Sequence, residues 1–394
     1  MLCSFAPPRV SGLGTDRQLG ISLLWGVRRV LSVIQTVLVP PTCGKTPIVF
    51  TWKIHGILCG LLLWAGSLGS QELPRVHLLG TGGTISGGSS GSLSASEISK
   101  LVPGLDGLAD LSVEDFATIG SSRMTPDLQF RLARRVRALF RERPELSGIV
   151  ITHGTDSLEE TAFLLDLLGV AEKPVVFAAA QRPPRRSDTD GPRNLLNAIR
   201  IAAAEGMRGL GVLVTMNDEI HGARDVRKTH SIALNAFASP WVGPLGHVDG
   251  NRIYLFHRPA RRLELEVDRI EPLVTLIRLF AGSDGSQVKA AVRSGQRGVV
   301  LEVFGRGNVP SKVLDAVREA RKQEIVVVFT SRTGGGRVEL GSETKRIGVL
   351  SGEDLDGLKA RLVLVAAMGT TTDLDELASY YRQLSGELET AVGN

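Results

Sequence analysis

Arg75-Val76-His77-Leu78-Leu79-Gly80-Thr81-Gly82-Gly83-Thr84 joins a short apolar run to a glycine-rich turn. The run is too short for a helix and reads as a buried strand, Arg75 to Leu79. The turn leads into Gly80 to Leu93, a Gly/Ser loop long enough to move as a lid.

Outward from this stretch, apolar runs alternate with amphipathic helices, which predicts an α/β fold with helices on both faces of a sheet. Strands are expected over Leu111–Ile119, Gly148–Thr152, Lys173–Ala180 and Gly209–Met216. Ser94 with Glu97 predicts a capped helix that Pro103 stops. Thr125 and Pro126 open another, with Leu128, Leu132, Val136, Leu139 and Phe140 as its apolar stripe. Ser157 and Glu160 read as a capping box for a helix running to Gly169. Pro192 opens a helix ending near Gly206.

A basic, irregular stretch then begins at His257, and the domain linker is placed at 257–271. Beyond it, Leu273–Leu279, Gly298–Val303, Ile325–Phe329 and Leu362–Ala367 read as four more strands, with a helix over Lys312–Lys322. The expected architecture is a larger N-terminal α/β domain (71–256) with a mainly parallel sheet. A smaller C-terminal parallel α/β domain (272–394) follows it.

Composition narrows the function. Of the 394 residues, 43% are hydrophobic and 22% charged, as in globular proteins. The formal charge of +5 resides in residues 1–70, which hold six basic groups and one acid; the remainder has 40 of each. A neutral body offers no general attraction for phosphate backbones, so no nucleic-acid partner is expected. Cys3, Cys43 and Cys59 all precede residue 70, so the body has no disulfide, thiolate site or cysteine nucleophile. The seven histidines show no metal-ligand spacing, and no metal or organic cofactor is expected.

Residues 1–70 read as a leader. Lys53 and His55 precede the apolar run Ile57 to Trp64, and Ala65, Gly66, Ser67, Gly69 and Ser70 follow. That order describes a signal peptide over about 49–70, with residues 1–48 an extension upstream of the true start. The run is too short for a stable membrane span in the mature chain. A periplasmic or secreted protein is expected, or a cytoplasmic one if the leader does not act as a signal.

Three turns follow the carboxyl ends of predicted parallel strands: Gly80–Thr84, Gly120–Ser122 and Gly154–Asp156. Open α/β sheets bind ligands there, so Thr84, Ser121, Thr155 and Asp156 are expected to share one crevice. Backbone N–H groups of a glycine-rich turn suit a phosphate or an acyl oxyanion. The phosphate reading fares poorly, since no Lys-Ser/Thr follows and the third glycine of a dinucleotide fingerprint is absent. A hydroxyl nucleophile at Thr84 fits better. It needs a base, for which Lys228 is the candidate, with Asp156 beside Thr155 to orient it. Taken singly, each signal has a plainer reading: a structural turn, a helix cap at His153–Asp156, a solvated Lys228.

The combination resembles the bacterial-type L-asparaginase family. Its two signatures stand as Leu79-Gly80-Thr81-Gly82-Gly83-Thr84-Ile85 and Ile151-Thr152-His153-Gly154-Thr155-Asp156-Ser157. Ile119–Met124, Arg182-Pro183, Asp190-Gly191-Pro192, Met216-Asn217-Asp218, Gly222–Thr229 and Gly243–Gly246 recur in order, so the resemblance covers about 75–394. It implies hydrolysis of L-asparagine, and of L-glutamine as a second amide, through an acyl-enzyme on Thr84. Thr155, Lys228 and Asp156 fall on the second triad. Ser121, Ser122 and Asp156 fall where the family grips the substrate's α-carboxylate and α-amino groups; Gly83 and Thr155 complete the expected binding set. Asn308 and Glu339 fall where it reaches into a neighbouring subunit's site, which implies self-association as a dimer of dimers.

One departure stands out. The family usually has a tyrosine in the lid, whereas the tyrosines here are Tyr254, Tyr380 and Tyr381. This keeps one rival in view, a catalytically weakened amino-acid-binding homologue; a second, an ammonia-generating amidotransferase subunit, keeps the fold and changes the substrate.

Overall fold

A computed structural model describes residues 72–87 and 93–387. The leader, the expected signal peptide and the lid serines Ser89, Ser90 and Ser92 lie outside the described residues.

Strands β1 (Arg75–Gly80), β2 (Asp110–Asp115), β3 (Leu146–Thr152), β4 (Val175–Ala178) and β5 (Val212–Met216) lie parallel in the order β2-β1-β3-β4-β5. The sheet continues antiparallel through β6 (Glu219–Gly222), β9 (Gly246–Asp249) and β10 (Arg252–Leu255). β7 (Arg227–Lys228) and β8 (Phe237–Ala238) form a separate two-stranded ribbon. The central strands are buried on both faces, as covered parallel sheets are, which is why β1 and β4 read as apolar runs without alternation. Two differences from expectation concern this sheet. β2 stops at Asp115, and the Phe116 and Ala117 N–H groups turn onto the Gly80 carbonyl, ending the ladder. The β5–β6 hairpin escaped the sequence reading: its loop, Asn217-Asp218, has positive φ at both residues, the geometry that suits right-twisted strands.

The helices α1 (Ala95–Lys100), α2 (Pro126–Glu142), α3 (Leu158–Leu167) and α4 (Gly191–Ala203) cover the large sheet. The capping box at Ser94 and Glu97 is formed, and Thr125 Oγ1 accepts from the Leu128 N–H at the start of α2. The expected box at Ser157 is not formed. The Ser157 hydroxyl instead donates to the Ser121 carbonyl at 2.6 Å, a bond between two turns that replaces a bond within one helix.

The smaller sheet is β11 (Val274–Arg278), β12 (Gly298–Val303), β13 (Val326–Ser331) and β14 (Val349–Ser351), all parallel and in chain order. Helices α5 (Ser286–Arg293), α6 (Ser311–Lys322), α7 (Ser342–Arg346), α8 (Gly357–Ala367) and α9 (Leu374–Ser385) accompany it. The expected strand Leu362–Ala367 is the second half of α8. This helix packs against α3 on one side and β11, β12 and β13 on the other, so nearly every residue is buried and no polar stripe marks its period. The fourth strand is the short β14 instead. Through α8, one apolar cluster runs from Leu79 and Phe163 to Val300 and Val328.

Candidate active site

The site begins with how the turn after β1 is held. Both the backbone N–H and the hydroxyl of Thr81 donate to the Thr152 carbonyl, at 3.1 and 2.8 Å. Gly83 follows at φ +88°, where a Cβ would stand 2.3 Å from both Gly154 Cα and Gly154 N. Only glycine fits such an approach of backbone to backbone. A Cβ on Gly154 would in turn stand 2.5 Å from Ser121 Oγ. The turns Gly80–Thr84 and Gly120–Ser122 therefore both touch the turn Gly154–Asp156.

Ser121 braces them. It is 4% exposed; its Oγ accepts from the Asp156 N–H at 3.1 Å and its carbonyl accepts from Ser157. Thr84 opens a single 3-10 turn, Thr84–Ser86, and is half-buried. Among the described residues its hydroxyl has no hydrogen-bond partner. Thr84 and Thr155 each come one residue after glycines whose backbones approach closely.

Lys228 reaches Thr155 from β7. Its Nζ donates to Thr155 Oγ1 at 2.8 Å and stands 3.4 Å from Asp156 Oδ1. Thr155 is buried, whereas the Asp156 side chain is 62% exposed. An ion pair so open contributes about 1 kcal/mol at most, so the lysine's place depends more on its backbone. The Lys228 N–H donates to Glu159 Oε2 at 2.9 Å. Burial raises the Glu159 carboxyl above its ordinary range, opposed by the Lys359 ammonium and by this N–H.

His153 lies beneath the site, fully buried, with its ring edge-on to Phe177. Nδ1 is 2.7 Å from the Gly154 carbonyl, which can only accept, so Nδ1 carries the proton. Nε2 has no partner among the described residues. Burial lowers this imidazole to about 4, leaving it neutral.

The remaining predicted residues sit elsewhere or stay open. Ser122 is exposed beside Ser121. Asn308 and Glu339 lie at the carboxyl end of the smaller sheet, both exposed. They are near each other: Phe304 and Asn308 bridge, and Glu339 meets Arg306 through an ion pair of 2.8 Å and a backbone bond. Sequence reasoning missed Glu159 and Lys359. Glu159 follows Thr155 by four residues, and Lys359 stands with Arg361 just before the apolar stretch Leu362–Ala367. Among the described residues, no three His, Cys, Asp or Glu cluster closely enough to hold a metal ion.

Comparisons with known proteins give the family. Residues 75–261 match the family model "Asparaginase, N-terminal", and 273–381 match "Glutaminase/Asparaginase C-terminal domain". The chain is similar to "Probable L-asparaginase periplasmic" of Haemophilus influenzae, at 34% identity covering 82% of this chain and 97% of the relative. It is 35% identical to "Glutaminase-asparaginase" of Pseudomonas fluorescens biotype A, covering 82% and 96%. The crystal structure of a probable cytoplasmic L-asparaginase from Campylobacter jejuni superposes with a TM-score of 0.73 at 34% identity, covering 78% of this chain and 99% of that one. Two family models in the right order, and relatives matched almost end to end, make this chain an amidohydrolase of the bacterial-type L-asparaginase family.

Proposed function

We propose that the chain hydrolyses the side-chain amide of L-asparagine to L-aspartate and ammonia, with L-glutamine as a second substrate. In this reading the Thr84 Oγ1 attacks the amide carbon. Its proton passes to the leaving nitrogen, the C–N bond breaks, and ammonia departs from an aspartyl ester on Thr84. Water then adds to the ester carbonyl, losing its proton as the threonine oxygen regains one, and aspartate is released. Thr155, Lys228 and Asp156 move protons in these steps, with Lys228 as the base that acts through Thr155. Backbone N–H groups near Gly83 and Thr155 stabilise the oxyanion. Ser121, Ser122 and Asp156 hold the amino-acid end of the substrate. Asn308 and Glu339 act in a neighbouring subunit's site, within a dimer of dimers.

The observation that carries this reading is the 2.8 Å bond from Lys228 to the buried Thr155 hydroxyl, one residue from the Gly83–Gly154 contact. The leader supports export to the periplasm or beyond, in keeping with the word "periplasmic" in one relative's name. The domains are taken as 71–256 and 272–394 joined by 257–271. Among the described residues no helix is long and apolar enough to cross a membrane.

A second reading is favoured by one observation. No tyrosine occurs between Gly80 and Leu101, so a homologue that binds the amino acid without cleaving it is the rival. Ammonia release and calorimetry on the purified full-length chain separate the two. Ammonia released from asparagine in proportion to enzyme supports hydrolysis. Aspartate binding with no ammonia from asparagine or glutamine supports the rival.

A further inference from the structure

We infer that Glu159 and Lys359 are positioning residues, which fix the strap 224–228 so that Lys228 stands on Thr155; this rests on the asparaginase reading above. Glu159, on α3, accepts the backbone N–H of Lys228 at 2.9 Å. Lys359, on α8, is 2% exposed, and its Nζ donates to the carbonyls of Arg224 and Val226, both at 2.6 Å.

The strap has little regular structure to hold it. β7 comprises only Arg227 and Lys228, and its partner β8 is equally short. A two-residue ribbon cannot fix a long lysine side chain to within a fraction of an ångström. Side chains from both parts of the chain supply what the ladder lacks. Besides the bonds above, Arg227 Nε pairs with Asp356 Oδ2 at 3.2 Å, and Arg224 Nη2 donates to Asp354 Oδ1 at 2.7 Å. Asp356 also caps α8 by accepting from the Lys359 N–H at 3.0 Å. The strap is thus clamped between α3, which follows directly from Thr155 and Asp156, and the start of α8.

An ammonium kept out of water in this way has a high cost unless its protons are satisfied. Burial lowers the Lys359 pKa, with Asp356, Glu159 and Asp225 working against that. A solvated lysine would cost the fold nothing, and a leucine would pack as well on Phe163, whose ring lies 5.7 Å from Nζ. What Lys359 provides and leucine would not is a pair of hydrogen bonds to the strap.

The test uses the full-length chain with Glu159→Ala, Glu159→Gln and Lys359→Met. Gln keeps an oxygen for the Lys228 N–H, whereas Ala removes it. kcat and KM for asparagine are measured per mole of folded protein. The rate at which an amine-selective reagent labels Lys228 is read separately by peptide mass spectrometry. Glu159→Ala and Lys359→Met should lower kcat by about 10- to 100-fold with KM within about threefold, the size expected when a reacting group is misplaced by about 1 Å. Glu159→Gln should recover most of the loss, and Lys228 should be labelled several times faster in Glu159→Ala as its ammonium leaves Thr155. An unchanged kcat and labelling rate in Glu159→Ala would overturn the inference, as would a Gln variant as impaired as Ala. Should Glu159→Ala fail to fold, Lys359→Met decides by the same two readouts. If the wild type releases no ammonia, the asparaginase reading fails, and the labelling rates alone decide whether these residues position Lys228.

Discussion

The chain contains a larger, mainly parallel sheet and a smaller, all-parallel one, and the carboxyl ends of their parallel strands are built differently. In the larger, the strand order reverses: from β1 the chain moves outward to β2, then returns to β3 on the other side and continues to β4 and β5. The turns after β1 and β3 are pressed together at Gly83 and Gly154. In the smaller, β11 to β14 follow one another in a single direction. Its turn Gly305-Arg306-Gly307 is also rich in glycine: a Cβ on Gly305 would meet nothing within 4 Å, whereas one on Gly307 would stand 2.6 Å from the Glu339 carbonyl oxygen. Glycine-rich turns at strand ends are therefore not enough to make a site. Turns meet in both sheets, and the larger adds a switch point, where connections depart to opposite sides of the sheet.

The most severe way to probe the contrast is through Lys228. Lys228→Met should reduce kcat/KM for asparagine about 10³-fold, roughly 4 kcal/mol of transition-state stabilisation. Steady-state ammonia release measures it, and a loss below about tenfold would separate Lys228 from the chemistry.

Paired glycine substitutions sharpen it further. Gly83→Ala adds a Cβ against backbone that cannot move aside, at positive φ, and should destabilise by about 3 kcal/mol or more. Gly305→Ala meets open space at φ +49° and should cost only about 1 kcal/mol. Denaturant unfolding of the two variants reads the difference; equal losses would mean that the Gly83–Gly154 approach is not specified by glycine.

Protonation of histidine can act only on the chain up to His257, since no histidine follows it. His153 is displaced downward in the folded state, to about 4, so the unfolded chain binds the extra proton between about pH 6.5 and 4. Its contribution to stability is complete above pH 6.5 and is lost as pH falls toward 4, by up to about 3 kcal/mol. The buried carboxyls Glu159, Glu160 and Asp166, pushed up chiefly by desolvation, act in the opposite direction. The measurable quantity is thus the difference between wild type and His153→Gln, whose stability should fall less over that window. The smallest effect belongs to the smaller sheet. Arg306→Ala removes an ion pair whose side chains are 75% and 66% exposed, and should change unfolding free energy by less than about 0.5 kcal/mol.

Much of this was legible in the chain because local signals and tertiary demands coincide. β1, the capped α1 and α2, and the three turns could be read because apolar runs, capping residues and glycines each have one physical use there. Leu362–Ala367 misled because a helix buried on all sides has no amphipathic period, and six apolar residues fit a strand as well as a helix turn. Ser157 misled because its hydroxyl had two partners available, the helix N-terminus and the Ser121 carbonyl, and only the folded chain brings the second within reach. Thr155 and Lys228 could be suspected together, but their bond spans 73 residues, and nothing local in the sequence announces Glu159 or Lys359 as its supports.

The central claim is that Thr84, at the switch point, carries the acyl group. Its most direct test is to quench the full-length enzyme during turnover of asparagine and map the ester by peptide mass spectrometry, alongside the Thr84→Ala variant. The account predicts an aspartyl ester on the peptide containing Thr84, which Thr84→Ala abolishes together with ammonia release. An ester on another hydroxyl, or undiminished ammonia release from Thr84→Ala, would contradict it.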